Sequence, residues 1–538
     1  MRSLKELHEQ ISSDKSDINS WMDQLNALER TGKQIARAVN IAQKMLLNDI
    51  DDQGFATLYF TIKAGQVLFD EINDGWYLLN KYNIWKETQN GVALIEDMSH
   101  SIAPIIEKAF QKLRAEHLVT EDVQKRYKRA LHAINTHHTK KNILNELKGK
   151  FPENRVFEKM DRVNDYLFAF DNGVYDLKEN RFRLPKPDEL ITVTCGYDYM
   201  SPNAVIRKIM RDLQNIIDSL MPNRDDSHTL LTQIAMKLAG IPVEELYVWL
   251  GSGGNGKGLL RDVIAQTFGA YFDPMEVDYL VKSKHGQSAT AADEVMAKKK
   301  NARVVLTSEP ESDMDIRIGK IKNITGGDPV QCRFNYGSNF NYVPKFGLFI
   351  MTNYSITIKN AGYEIRRRLR VIRFPLNFCA NPVLENDRKA DPTLKQRIKN
   401  PLYKIAFFHL LLEKYNQCAS NDFVIPISDN IKEETEIFLN GYDPFTPFFK
   451  DVIEKTGDDS SFIKLTDLHK AFKAYYTGES SCTLNHQELR KAVESKGLMV
   501  KIKNGYNGIR GIRINQDKLN ERMKGKDKDD NSDDYIEV

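Results

Sequence analysis

The stretch 246–258, LYVWLGSGGNGKG, constrains this chain more than any other. A short apolar run, Leu246 to Leu250, opens into a glycine-rich loop ending in Gly256-Lys257. Apolar residues at helical spacing then run from Leu259 to Phe268. Strand, glycine-rich loop and helix in that order are what a phosphate-binding loop requires. Glycines let backbone N–H groups curl around phosphate oxygens, and the helix behind points its positive N-terminus at them. A glycine-rich surface turn would account for the loop alone, but not for the strand before it and the helix after it. The residues expected to bind ATP are Gly251, Ser252, Gly253, Gly254, Asn255, Gly256, Lys257, Gly258 and Leu259, with Lys257 reaching the β- and γ-phosphates. One position departs from the pattern. The residue after the lysine is ordinarily Ser or Thr, whose hydroxyl ligates Mg²⁺, and here it is Gly258. The metal must then be held by phosphates, waters and carboxylates, or by another hydroxyl.

A phosphate loop needs a second strand that brings an acid to Mg²⁺ and to the attacking water. Residues 302–307, ARVVLT, read as a buried strand, and Ser308-Glu309-Pro310-Glu311 follows. Glu309 is the first carboxylate after it, expected at the metal and at the water, with Glu311 in reserve. A third strand, 346–352, ends in Asn353, whose amide could sense the γ-phosphate, although Asn also favours plain turns. Residues 364–370, EIRRRLR, come next. Blocks of arginine are usually solvated faces or nucleic-acid patches. In a ring ATPase, however, an arginine projects into the neighbouring site and stabilises phosphoryl-transfer charge. Between the acid and the Asn strand lie KIKNITGGDP, 320–329, and a hairpin pattern, VQCRFNY and FNYVPKF, with Gly337-Ser338-Asn339 at its tip. A basic and aromatic hairpin facing a ring channel could grip a nucleic-acid strand.

At 538 residues the chain has room for about three or four domains. Five cysteines (Cys195, Cys332, Cys379, Cys418 and Cys482) are scattered with no CxxC, which argues against a disulfide framework and a zinc ribbon. No signal-peptide pattern opens the sequence and no apolar run approaches the ~18 residues of a membrane span. The expectation is a cytoplasmic protein with no membrane partner, in the host cytoplasm if phage- or virus-encoded. A net charge of +3 confines any nucleic-acid surface to local patches. The fold class expected is α/β, a phosphate-loop core with a parallel sheet over 201–380. A helical arm (1–60) and an α+β domain (61–200) precede it, the latter with a hairpin at Asn172-Gly173. A helical connector (381–440) follows. Residues 441–520 read as two helices and two strands (498–503 and 509–514), a winged helix in which Lys501 and Lys503 face DNA phosphates. A protein-docking domain with solvated lysines is the alternative. The tail, 521–538, is charged and of low complexity.

Together these motifs resemble superfamily 3 helicases, in particular the replicative helicases of phages and plasmids and the helicase half of poxvirus-type primase-helicases. The likeness spans about 200–380 in the order phosphate loop, Glu strand, KIKNITGGDP, MTN, RRRLRVIRFP. WYLLNKYNIWK and FDNGVYDL extend it upstream, and 440–517 downstream. The resemblance implies an AAA+ module assembled as a homo-hexameric ring that uses ATP and Mg²⁺. Lys257 would bind phosphate, Glu309 act in hydrolysis, Asn353 sense, and Arg367 or Arg368 act in trans. Lys320, Lys322, Arg333, Asn335 and Tyr336 would lie in or near the DNA-gripping hairpin. Ser308 stands where many members have a first acid. The implied function is an ATP-dependent replicative DNA helicase translocating on single-stranded DNA and unwinding forks. The alternatives are an origin-binding initiator or loader without processive unwinding, and a nucleoside triphosphatase with no DNA role. Asp49, Asp51 and Asp52 lack the strand pattern of a priming polymerase, so a separate primase or polymerase is the expected partner.

Overall fold

A computed structural model describes residues 18–520 except 72, 152–155, 243, 252, 281–292, 308–315, 335–338, 354–362, 441–444, 457–460, 477–485, 499 and 504–505. Its centre is a five-stranded sheet of β1 (Leu246–Leu250), β2 (Phe272–Met275), β3 (Val304–Thr307), β4 (Gly347–Thr352) and β5 (Leu369–Arg373). The order across the sheet is β5-β1-β4-β3-β2, and every neighbouring pair is parallel. β1, β3 and β4 are buried at every position. This follows from their sequences: a parallel sheet covered on both faces needs continuous apolar strands rather than alternating ones.

The two faces are divided by the strand period. Tyr247, Trp249, Leu306, Phe349 and Met351 join one core with helices α1 (Ala204–Leu220), α2 (Arg224–Ala235), α3 (Lys257–Phe268) and α5 (Pro401–Ala419). Leu246, Val248, Val305, Leu348 and Ile350 join another, with Ile321 and Ile324 of α4 (Ile318–Thr325) and with a short antiparallel pair, Val330–Cys332 and Phe340–Tyr342. That pair is the expected hairpin, whose tip lies outside the described residues. Among the described residues no helix is long and apolar enough to cross a membrane.

Upstream, helices at Ile18–Leu47, Asp52–Ile62, Val92–Ala115, Glu121–Ala133 and His137–Lys148 enclose a core of their own. A three-stranded antiparallel sheet, Val67–Asp70, Gly75–Leu79 and Trp85–Thr88, packs with them. The helix Asp52–Ile62 runs across residue 60, and Ala38, Ala42 and Leu46 of the helix before it are buried in the same core. Residues 167–197 pack against the central sheet: Phe168 and Phe170 meet Phe268 and Phe408 there. Arg303, buried at the start of β3, donates to the carbonyls of Leu238 and Leu167 and stacks 4.5 Å from the centre of the Tyr271 ring.

Two stretches differ from their sequence expectations. Residues 381–400, read as part of a helical connector, hold a strand at Asp387–Lys389 and one helical turn at Leu394–Arg397 before α5 begins. Pro382 and Pro392 interrupt any helix there. In the C-terminal unit the strand expected at 509–514 is two strands, Tyr506–Arg510 and Ile512–Ile514. Gly511 breaks it with φ +74°, which sends the second piece to pair with Ile453–Lys455. The first pairs with Phe462–Lys464 and Val500–Lys503.

Lys237 lies fully buried beyond α2, its Nζ 5.2 Å from the Tyr247 ring centre and without a hydrogen-bond partner among the described residues. Burial pushes its pKa down to about 8 from the ordinary 10.5, against the pull of Glu245. The unfolded chain therefore binds more protons between those values, and stability rises with pH across that window. Lys237→Met is expected to stabilise the core at pH 7 by up to about 3 kcal/mol. The gain shrinks to nothing towards pH 10.5. Thermal midpoints of both proteins at pH 7 and pH 10 check this; a destabilised variant at pH 7 would refute it.

Candidate nucleotide-binding site

β1 ends at Leu250, the loop occupies 251–256, and α3 starts at Lys257. Gly254 and Gly256 have φ of +76° and +86°, which side-chain-bearing residues rarely adopt. A Cβ at 256 would also lie 2.4 Å from Leu220 Cδ2, and one at 254 would lie 2.7 Å from Asn377 Oδ1, so either neighbouring side chain would have to move. Asn255 is buried, and its Oδ1 accepts from Lys257 N at 3.3 Å. Lys257, 2% exposed, donates from Nζ to Gly251 O at 2.5 Å and to Asn353 Oδ1 at 3.1 Å.

The neighbouring strand sets the second of these contacts. β4 pairs with β1 so that Thr352 faces Leu250, and Gly251 N donates to Thr352 O at 3.2 Å. The next residue, Asn353, is thereby delivered to the ammonium. A buried cation that donates to a carbonyl and a side-chain amide, beside the N-terminus of a helix and at the carboxyl edge of a parallel sheet, is placed to meet an anion. Gly258 has no atom within 4 Å of a Cβ position, so the missing hydroxyl is not sterically excluded. At the end of β3 the Thr307 hydroxyl is buried with no hydrogen-bond partner among the described residues. Ser252, Glu309 and Glu311 lie outside the described residues.

The loop opens on a cleft of about 1030 Å³. Ile216 and Leu220 of α1 line it, and so do Phe378 and Leu394 from the segment after β5. This wall, residues 376–397, is the element sequence reasoning missed. Phe378 N donates to Gly254 O at 2.8 Å, which ties the wall to the phosphate loop. The available hint was four cations, Arg388, Lys389, Lys395 and Arg397, on a stretch without helical period.

The other expected residues are dispersed. Arg367 and Arg368 lie at the opposite, amino edge of the sheet: Leu369 faces Leu246, and Leu246 N donates to Arg368 O at 2.9 Å. The length of β1, about 17 Å for five residues, separates them from the phosphate loop of their own chain. Arg367 is ion-paired with Glu244, and Arg368 lies 3.4 Å from the same carboxylate. The hydrogen bond from Arg367 holds the Glu244 carboxyl below its ordinary range. Lys320 of α4 sits 3.4 Å from the Tyr279 ring centre, and burial lowers its pKa. Lys322 is ion-paired with Glu364. Arg333 is exposed just past the Val330–Cys332 strand, while Asn335 and Tyr336 lie outside the described residues. Lys501 is exposed on its strand, and Lys503 pairs through its backbone with Tyr506. Among the described residues no three His, Cys, Asp or Glu side chains form a metal cluster.

Residues 52–218 match the family described as D5 N terminal like. The chain is 27% identical over 348 residues to a protein named "Putative helicase" from Acanthamoeba polyphaga mimivirus, covering 62% of this chain and 35% of that one. It is 21% identical over 376 residues to a "Putative primase" from African swine fever virus, covering 67% of this chain and 38% of that one. The chain thus spans about a third of the length of these relatives. Among solved structures, the apo C-terminal region of NrS-1 aligns at TM-score 0.39 and 13% identity, over 83% of this chain and 96% of that one.

The loop geometry separates two neighbouring glycines. Gly256→Ala meets both a left-handed φ and the Leu220 side chain, and it should weaken ATP binding by more than about 10-fold, since such strain costs of order 1–3 kcal/mol. Gly258→Ser should stay within about 3-fold of the parent, because the position is open. Titration with a fluorescent ATP analogue ranks them, and the reverse ranking would contradict the loop described here.

Proposed function

We propose, for a chain related to viral proteins named helicase and primase and carrying a D5 N-terminal-like segment, that it is an ATP-driven replicative DNA helicase of the superfamily 3 type. In this reading the central sheet is an AAA+ module that works as a homo-hexameric ring on single-stranded and forked DNA. The observation that carries it is the buried Lys257 ammonium, held against Asn353 at the end of the adjacent parallel strand. Those two groups meet where a γ-phosphate would lie above the loop. Lys257 binds the phosphates, Asn353 orients the terminal one, and Glu309 orients the attacking water.

Mg²⁺, when bound with the nucleotide, neutralises charge on the transferred phosphoryl group. The residues present fit that role. Thr307 supplies an orphaned buried oxygen at the end of β3, Glu309 follows two residues later, and such sites commonly use one or two protein oxygens together with phosphates and water. The position of Arg367 and Arg368 at the far edge of the sheet favours action on a neighbouring subunit. DNA contacts fall to α4 and the adjoining hairpin, with Lys320, Lys322 and Arg333. They also fall to the C-terminal unit, read as a winged helix from its order of helix, two strands, two helices and three strands. A separate primase or polymerase remains the expected partner at the fork.

The test is ATPase rate with and without single-stranded DNA, together with strand displacement on a forked substrate. Lys257→Ala should abolish both. Hydrolysis and DNA binding without strand displacement would make the protein an initiator or loader instead. The Arg367→Ala and Lys257→Ala variants are each expected to lose ATPase by about 10³-fold or more. A mixture of the two should regain part of it, because some interfaces then hold an intact loop and an intact arginine. No return of activity, with subunit exchange shown independently, would mean that Arg367 does not act in trans.

A further inference from the structure

Lys257 shares the cleft with other cations, and those contributed by the segment after β5 belong to no expected motif. After β5 the chain turns back across the phosphate loop. Asn377–Cys379 pairs in parallel with Asp387–Lys389, which sets Cys379 opposite Lys389. Asp387 closes the intervening loop by accepting from Leu384 N and Val383 N at 3.0 Å and from Asn377 Nδ2 at 3.0 Å. Arg397 is balanced by Asp391 and Asp212, at 3.5 and 3.6 Å. Arg388 donates to the carbonyls of Glu385 and Asp387. Lys389 and Lys395 line the same cleft, exposed, and neither has an ion pair among the described residues.

Uncompensated ammonium groups along a concave wall raise the local concentration of a polyanion. The one strongly anionic part of a nucleotide is its phosphate chain. The apolar surface beside them, from Ile216, Leu220, Phe378 and Leu394, suits a flat base and offers no charge. We propose that residues 376–397 form the second jaw of the nucleotide site, with Lys389 and Lys395 binding the triphosphate across the cleft from Lys257. This rests on the nucleotide-site reading above. It adds that affinity depends on how many phosphates the ligand carries and on a segment outside the phosphate loop.

The experiment titrates the full chain with fluorescent analogues of ATP and AMP at low and high salt. Removing two charge contacts, as Lys389→Ala with Lys395→Ala, should weaken ATP about 5- to 10-fold and AMP less than about 2-fold, with a flatter salt dependence. The corresponding double Arg variant should restore ATP affinity. Both side chains are exposed, so the thermal midpoint should not move. Equal weakening of ATP and AMP would overturn the phosphate role. Unchanged ATP affinity with weaker single-stranded DNA binding would overturn the proposal in favour of a DNA face. A parent protein that binds ATP no better than Lys257→Ala would defeat the nucleotide-site reading itself. ATP binding lost in Lys257→Ala but kept in the double Ala variant would defeat the jaw alone.

Discussion

The register between β1 and β4 is the constraint on which the site depends. With Thr352 opposite Leu250, the residue after β4 meets the lysine that opens α3. A slip of one residue would turn every side chain of β4 to the other face and carry Asn353 away from Lys257. Burial on both faces forbids that slip. Phe349 and Met351 fill the core shared with α1, α2, α3 and α5, while Leu348 and Ile350 fill the core over α4. The apolar packing that stabilises the sheet is therefore also what positions its polar end.

Buried cations are satisfied in more than one way. Arg303 and Lys300 donate to backbone carbonyls, Lys300 to Met160 O at 3.1 Å. Lys237 finds no such partner among the described residues, and burial lowers its pKa. Lys257 donates to a carbonyl and to a side-chain amide, and these hydrogen bonds offset part of the desolvation of its ammonium.

Much of this was legible in the sequence. The strands at 302–307 and 346–352 were read to within two residues because fully buried parallel strands are unbroken apolar runs. The strand–loop–helix at 246–268 was legible because its glycines answer to local backbone needs. What escaped was set by contacts distant in sequence. The wall at 376–397 becomes part of the cleft only through its bond to Gly254, more than a hundred residues earlier. Arg367 and Glu244 are 123 residues apart, and no periodicity joins them. The break at Gly511 was missed because one left-handed residue outweighs the strand pattern around it.

The geometry of a parallel sheet also sorts the two arginines. All carboxyl ends lie on one edge with the glycine-rich loop, and the EIRRRLR block is left at the other, so neither arginine reaches its own loop. Their environments then differ. The Arg367 side chain is 43% exposed, and an exposed pair with Glu244 is worth about 0–1 kcal/mol, so exchanging that carboxylate for a phosphate costs little. The Arg368 side chain is 9% exposed, and its backbone carbonyl is already committed to Leu246 at the base of β1. Drawing it out would uncover the sheet edge. Of the two, Arg367 is the one that can leave its place without disturbing the strand that carries the phosphate loop.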